Sequence, residues 1–370
     1  VWEVNSGIEV ARVPHIYPYI GREKNFTCSS NGKYLATGIV GGIQIWEMSR
    51  GDDKDKVASV PGSIIAPITL SQDGKYLATV TEETEETEET EDSDNTEEVR
   101  VWQIKVWEAA TGNEVANIPQ EDRTIGSIAL SSDGKYLATA SPLAVWEVAT
   151  KRQLYSILHE TEVEVLAFSA NGEHLYTASV AASTDTKTQV RAWETSTGKE
   201  LATLLEIDNS SPCALSSDGK YLAIVDLNRN PENSGRFIER IKVLEVSTGR
   251  EVGYISFDNF WRVDSVALSP DGQYLAMKGI EDTEEEPMYI WEVSTGRAMT
   301  RITSQWHFGN LAISQRYLAL QVLDIVHILL WKPEDLINEA CARLNRNLTQ
   351  QEWRQFFPDE PYRKTCPNLP

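Results

Sequence analysis

The tract SSDGKYLATAS at 131–141 recurs down the whole chain. It reads SSNGKYLATG at 29–38, SQDGKYLATV at 71–80, SANGEHLYTAS at 169–179, SSDGKYLAIV at 216–225 and SPDGQYLAMK at 269–278, with a worn copy, SQRYLAL, at 314–320. Seven copies with a period of about 40–50 residues mean repeated supersecondary units whose apolar faces are covered only by their neighbours. The chain has 370 residues. One conventional core supports roughly 250–300, a limit that a repeat architecture escapes. Function is then expected where the repeat is broken.

The third unit shows what is repeated. GSIALS at 126–131 is a short apolar run, Ser132-Asp133-Gly134 turns the chain, and KYLATAS at 135–141, LAVWEVA at 143–149 and QLYSIL at 153–158 follow. These are four short strands, a to d, separated by turn residues. The a–b turn is S-x-D/N-G; the c–d turn is S/T-T-G-K/R, as in STGK at 196–199 and STGR at 247–250 and 294–297. Seven such antiparallel sheets arranged radially predict an all-β, seven-bladed β-propeller over 1–332. The seventh unit has strands a (308–314), b (316–322) and c (326–332) but no d, whereas EVARV at 9–13 is a d-type strand with no blade of its own. Placing it on blade 7 closes the ring and removes two exposed sheet edges. Residues 1–4 are then a surplus c strand from an upstream blade, and an eight-bladed ring is the alternative. VRVWQI at 99–104 duplicates strand c at 105–109; Trp107 is assigned to the blade because it alone has the proper distance to Thr111-Gly112.

The strand-c signature is IQIWEM at 43–48, KVWEAATG at 105–112, AVWEVAT at 144–150, RAWETSTG at 191–198 and YIWEVSTG at 289–296, with Leu244 replacing Trp in KVLEVSTG at 242–249. In register across 1–332, these motifs resemble the WD-repeat family. The resemblance makes Trp46, Trp107, Trp146, Trp193, Trp291 and Trp331 structural. Glu follows Trp where that family usually has Asp, and its Gly-His pair before strand a is missing. Its buried Asp-His-Ser/Thr-Trp network is therefore incomplete; Thr37, Thr79, Thr139 and Thr177 match only the hydroxyl position. Apolar packing and the Trp residues are expected to carry more of the blade stability.

Net charge is −22, which argues against nucleic acid and anionic membrane surfaces as partners, since both need clustered Lys and Arg. The stretch 81–98 carries eleven acidic residues and no basic one, and is expected to be a disordered, self-repelling loop; docking of a basic partner is the sharper alternative. No apolar run approaches the ~20 residues of a membrane span, and no signal peptide is visible. The chain opens in mid-pattern on Val-Trp-Glu-Val, as if cut from a longer protein. Five His without ligand spacing predict no metal site, and no cofactor is expected. Of four Cys, too few for a disulfide scaffold, Cys28 and Cys213 fall in apolar runs as small buried hydrophobes.

Antiparallel connectivity puts the short a–b and c–d turns on one face and the b–c and d–a loops on the other. The second set is irregular, with b–c insertions at 81–98, 180–189, 226–240 and 279–287. On that face the d–a loops HIYPYIGR (15–22), FDNFWR (257–262) and SQWHFG (304–309) lead into blades 1, 6 and 7, which are neighbours in a closed ring. Tyr17, Tyr19, Phe260, Trp261, Trp306, His307 and Phe308, flanked by Arg22 and Arg262, form a candidate partner-binding patch, because aromatic and Arg side chains anchor interfaces. The plainer alternative is that these rings plug the channel or pack beneath the loops.

From Pro333 the repeat stops. EDLINEACARLN at 334–345 has a helical apolar stripe, TQQE at 349–352 is a capping-box pattern opening a second short helix, and a proline-rich segment ends the chain at 370. This tail should leave blade 7 on the face of short turns. It looks like the ending of bacterial, notably cyanobacterial, multidomain WD-repeat proteins, which implies an upstream effector module such as a signalling ATPase, kinase or protease-like domain, and a cytoplasmic setting. Cys341 and Cys366 lie in the tail as two structural thiols or, alternatively, a redox-sensitive pair. No Ser-His-Asp, HExxH or phosphate-cradling Gly loop is present, so the expectation is a non-catalytic protein-interaction scaffold or sensor. A small-ligand sensor, or an enzyme with its site at the channel mouth, is the alternative.

Overall fold

A serine starts every turn of the repeated tract, buried in all but blade 4, and its hydrogen bonds explain the tract's composition. In blade 3 the Ser131 hydroxyl donates to Asp133 Oδ1 (2.7 Å) and accepts from the Tyr136 N–H (2.9 Å), while Asp133 Oδ1 accepts from the Lys135 N–H (3.0 Å). The Gly134 N–H donates to the Ser131 carbonyl (3.0 Å), and Gly134 takes φ +69°. The same bonds recur from Ser29, Ser71, Ser169, Ser216 and Ser269. Ser, Asp or Asn, and Gly are thus each required by the turn, because a short polar side chain must satisfy backbone groups that the reversal leaves without a ladder partner. The worn seventh copy keeps only the bond from the Tyr317 N–H to Ser314 Oγ (2.9 Å).

The architecture comes from a computed structural model whose described residues are 8–14, 26–39, 41–48, 56–61, 63–86, 98–120, 126–140, 142–157, 163–179, 187–208, 210–229, 237–256, 260–281, 287–303, 308–322 and 325–370. Strands pair into seven four-stranded antiparallel sheets, six of them in the chain order a-b-c-d. The innermost strands touch their neighbours all the way round, blade 7 meeting blade 1, so the ring is closed with seven blades and not eight. The seventh sheet borrows its outer strand from the N-terminus: Ile8–Pro14 pairs antiparallel with Ile325–Leu330, in register from Ile8 opposite Leu330 to Pro14 opposite Ile325. Val13 of that strand is fully buried among Phe26, Leu35, Tyr317, Ala319, Val326, Ile328 and Leu330. Residues 1–4, expected as a surplus strand, lie outside the described residues.

Seams between blades use the same two turns. A Cβ on Gly134 of blade 3 would stand 2.2 Å from the Tyr76 ring of blade 2, and Gly272 of blade 6 meets Tyr221 of blade 5 at 2.3 Å. Five of the six a–b glycines, Gly32, Gly74, Gly134, Gly219 and Gly272, thus give the preceding blade's tyrosine its seat, whereas Gly172 of blade 4 has only Ser131 nearby, at 3.7 Å. In blade 4 the tract has His174 in the tyrosine position, and Tyr176, two residues on, meets Gly219 of blade 5 instead (2.4 Å). In the c–d turns the Glu after Trp, or after Leu244 in blade 5, is structural: Thr111, Thr150, Thr197, Thr248 and Thr295 donate to Glu108, Glu147, Glu194, Glu245 and Glu292 at 2.5–2.7 Å.

The tryptophans divide into classes that the sequence pattern did not separate. Trp46 and Trp193 donate from Nε1 to Thr37 and Thr177, each at 3.0 Å. Trp107 and Trp146 are in the same strand-c register, opposite Leu77 and Leu137, yet their Nε1 atoms have no acceptor among the described residues. Trp291 holds the register position opposite Leu275. Trp331 is structural in a different way: Leu329 stands opposite Leu318 in blade 7, and Trp331 lies two residues beyond, buried edge-on against Tyr274 of blade 6 at 4.7 Å. It fills the seam where the seventh a–b turn has no glycine. The Trp–Thr bond makes an internal comparison available. Thr177→Val is expected to cost about 1–3 kcal/mol by orphaning a buried indole N–H, whereas Thr79→Val, whose Trp107 has no such bond, should cost clearly less. Paired urea melts check this; equal losses would refute it.

Candidate functional site

The chain leaves blade 7 on the turn face, as its connectivity predicts. Lys332 Nζ lies 3.6 Å from Asp271 in the a–b turn of blade 6, Arg316 in the a–b turn of blade 7 lies 3.6 Å from Asp335, and Leu336 packs on the blade 7–blade 1 core. Helix α1 (Pro333–Arg343) begins there, and α2 (Gln350–Phe356) follows with a complete capping box between Thr349 and Glu352. The Glu352 carboxyl is pushed down to about 2, first by its hydrogen bonds from Arg346 and then by those from Thr349. Cys341 and Cys366 are joined in a disulfide that ties α1 to the final segment. Asn347 completes the tie, donating to the carbonyls of Cys366 (2.8 Å) and Leu369 (2.9 Å) and accepting from the Cys366 N–H (2.8 Å). The Cys28 side chain is only half-buried, short of the full burial expected; the Cys213 side chain is outside the described residues.

At the channel mouth on this face, Gln72 of blade 2 reaches across the ring. Its Nε2 donates to the backbone carbonyl of Ser217 in blade 5 and, at 3.4 Å, to that of Phe168 in blade 4. A polar side chain therefore links blades 2, 4 and 5 across the ring on the turn face.

That loop face is more ordered at its base than the sequence suggested. Strand b of blade 2 runs Tyr76–Glu86 and strand c runs Glu98–Glu108, paired from Tyr76 opposite Glu108 to Glu86 opposite Glu98. The acidic insertion, expected as a loop over 81–98, is therefore a β-ribbon at both ends, and 87–97 lie outside the described residues. VRVWQI at 99–104 is likewise no second strand c but the outer length of the same strand: Trp102 faces Glu82 and Gln120, while Trp107 holds the blade position. In blade 5, Tyr221–Arg229 and Phe237–Glu245 form a similar ribbon.

Of the expected patch, Phe260, Trp261 and Arg262 belong to strand a of blade 6 (Phe260–Leu268), not to a loop, and Phe308 opens strand a of blade 7 (Phe308–Ile313). Phe260 pairs with Glu281, Arg262 with Ile280, and Trp261 is the extra residue of a bulge between them. Phe308 pairs with Val322. These two strands are neighbours in the ring, so both backbones reach one stretch of rim. Their side chains, and all of Tyr17, Tyr19, Arg22, Trp306 and His307, lie outside the described residues.

Directly beneath that rim is a polar site that the sequence reading missed. Asp264 is the extra residue of a second bulge, between Val263 and Ser265, and its carboxylate lies 3.8 Å from Lys278 Nζ. Lys278 is 8% exposed, the one charged residue so deeply buried among the described residues. It shares a strand face with Tyr274 and Ala276, which pack on blade 7. Blades 1 to 5 carry Gly38, Val80, Ala140, Ala178 and Val225 at its position in the tract, and blade 7 carries the buried Gln321. Gly309 allows the Gln321 side chain to lie over strand a, since a Cβ there would meet its Oε1 at 2.7 Å. The signal was present in the alignment of the repeat with itself: only blades 6 and 7 put long polar side chains where the other five are small or apolar. Burying an ion pair gains little stability over well-packed apolar side chains, and the other six blades bury no charged residue among the described residues.

Fold and site together define a seven-bladed β-propeller with a disulfide-tied helical tail. No protein-family model matches the chain, and neither does any curated protein. No cluster of potential metal ligands occurs among the described residues, and none of their helices is long and apolar enough to cross a membrane.

Proposed function

We propose that this chain is a non-catalytic recognition module, a WD-repeat-like scaffold that binds a protein partner through the rim of blades 6, 7 and 1 on the loop-bearing face. The observation that carries the reading is the asymmetry of the ring. One face repeats the same two turns with the same hydrogen bonds, whereas the other departs from the repeat: blades 2 and 5 extend strands b and c as ribbons, and blades 6 and 7 bury Lys278 and Gln321 where the other five blades carry small or apolar residues. Irregular loops on a rigid scaffold are where binding specificity is built. The propeller serves, on this reading, as the recognition part of a larger bacterial signalling protein working in the cytoplasm. Capture of partners from the native source, identified by mass spectrometry, tests the reading against the Trp261→Ala/Trp306→Ala double variant. Loss of a specific partner with an unchanged melting curve is the expected result. Undiminished capture, or collapse of the fold, would count against it.

A further inference from the structure

The fold of the tail hangs on one covalent bond. Helix α1 has no buried residue. After it, over 344–370, Asn347, Trp353 and Cys366 are the buried residues, and none of them belongs to a core that the blades share. Trp353 is covered from within the same segment: the Phe357 and Tyr362 rings lie 4.7 and 5.9 Å from it between centroids, and its Nε1 donates to the Glu360 carbonyl at 3.1 Å. So small a core, in a segment well under the about 40 residues that fold unaided, needs a cross-link. The Cys341–Cys366 disulfide supplies it, and Asn347 bonds both backbone groups of Cys366. By contrast, the start of α1 is fixed to the propeller separately, through Leu336 and the contact of Arg316 with Asp335.

The two cysteines differ in access. Cys366 is 2% exposed, whereas Cys341, on α1, is only half-buried. A disulfide sealed in a core resists small thiols, but one with a sulfur open to solvent exchanges with them. We propose that Cys341–Cys366 is a thiol-responsive clasp: closed, it holds residues 344–370 folded against α1; open, it releases them while the propeller stays intact. The opening step is thiol–disulfide exchange with a small thiol such as glutathione. Its thiolate attacks the Cys341 sulfur, the bond to Cys366 breaks, and the Cys366 sulfur leaves as a thiolate that takes up a proton. A second glutathione thiolate then displaces the Cys341 sulfur, which is protonated in turn. Two glutathione molecules are thereby oxidised to one glutathione disulfide, the protein disulfide is reduced to two thiols, and the two protons released by glutathione end on the cysteines. Losing a cross-link across 25 positions is expected to lower the folded-to-unfolded ratio of the segment about a hundredfold. The chain thus carries a two-state element, set by the thiol balance around it, on the turn face and away from the loop-bearing rim.

Equilibration of the intact chain in glutathione mixtures, from fully oxidised to fully reduced, tests this. After the thiols are blocked with iodoacetamide, the mass of each sample counts the open cysteines, and brief trypsin treatment reads the tail at Arg354 and Lys364. The pair is expected to open within the series, cleavage at both sites to rise at least tenfold over the same mixtures, and the propeller's melting transition to stay in place. Cys341→Ser/Cys366→Ser is expected to be cleaved like the reduced chain in every mixture, with the same propeller transition. A disulfide that stays closed in fully reduced glutathione would overturn the proposal, since the bond would then be a permanent staple. So would an open pair with unchanged cleavage, or a propeller transition that falls as the pair opens.

Discussion

Deletion of residues 1–14 is expected to prevent formation of the closed ring. Without Ile8–Pro14, strand c of blade 7 becomes an open edge and the blade a three-stranded sheet. The burial of Val13 is worth about 1.5–3 kcal/mol; the ladder bonds and the cover over Phe26, Leu35, Tyr317 and Ile328 go with it. Against a net stability of roughly 5–15 kcal/mol, that loss is large. It also falls at the one place where both ends of the chain meet, so no neighbouring blade compensates. An unpaired edge of this length is a template for association, and the truncated chain should be aggregated or molten in size-exclusion chromatography and near-UV circular dichroism. A peptide of residues 1–14 supplied in trans should restore the fold by strand addition, and the same peptide carrying Val13→Asp should not. A truncated chain that melts like the intact one would show that the N-terminal strand is ornamental.

The second large effect concerns a seam. Gly134→Ala places a methyl group in a backbone at φ +69° and 2.2 Å from the Tyr76 ring of the preceding blade. The left-handed backbone costs about 1–2 kcal/mol and the overpacked seam about 1–3 more, for a total of roughly 2–5 kcal/mol. Gly172→Ala is the matched control, since Gly172 has φ +70° but its added Cβ would approach nothing closer than Ser131 at 3.7 Å. It should lose only the backbone share. Chemical denaturation of the two variants reads the difference directly, and equal destabilisation would mean that the tyrosine seat contributes nothing to holding blades together.

Much of the fold was legible because the repeat states it seven times. The S-x-D/N-G turn, the strand-c tryptophan and the c–d glycine each answer a local requirement, and such requirements are visible in a linear sequence. The N-terminal d strand was legible for a related reason: blade 7 lacks one strand and the chain's start supplies one. What stayed hidden depends on neighbours distant in sequence. Nothing local says that Trp46 and Trp193 reach a threonine while Trp107 and Trp146 do not, since all four have a threonine at the matching position, Thr37, Thr177, Thr79 and Thr139. Trp331 imitates the strand-c tryptophan but is displaced by two residues, and it packs on Tyr274 where the worn seventh turn has no glycine. The two ends of the acidic run were misjudged for a different reason. Its repeated charge argues for an unpaired loop, yet pairing with Val99–Val101 and the extra length of strand c carries the ladder out to Glu86.

The candidate site was legible in part. Aromatic loops beside the breaks in the repeat directed attention to blades 6, 7 and 1, and the structure puts the backbones of Phe260–Arg262 and Phe308 on neighbouring inner strands. The Asp264–Lys278 pair beneath them emerged only in three dimensions. A bulge swings Asp264 onto the face of Lys278, and no spacing rule connects two residues fourteen positions apart on different strands. By itself the amino-acid sequence determined the number of blades, the chemistry of their turns and the strand that closes the ring, because each is a short-range demand met by the same few residues every time. Tertiary structure alone decided which side chains meet across the seams, which face of the channel Gln72 spans and where a buried charge finds its counter-ion. Those are contacts between surfaces that the sequence brings together only after the ring has closed.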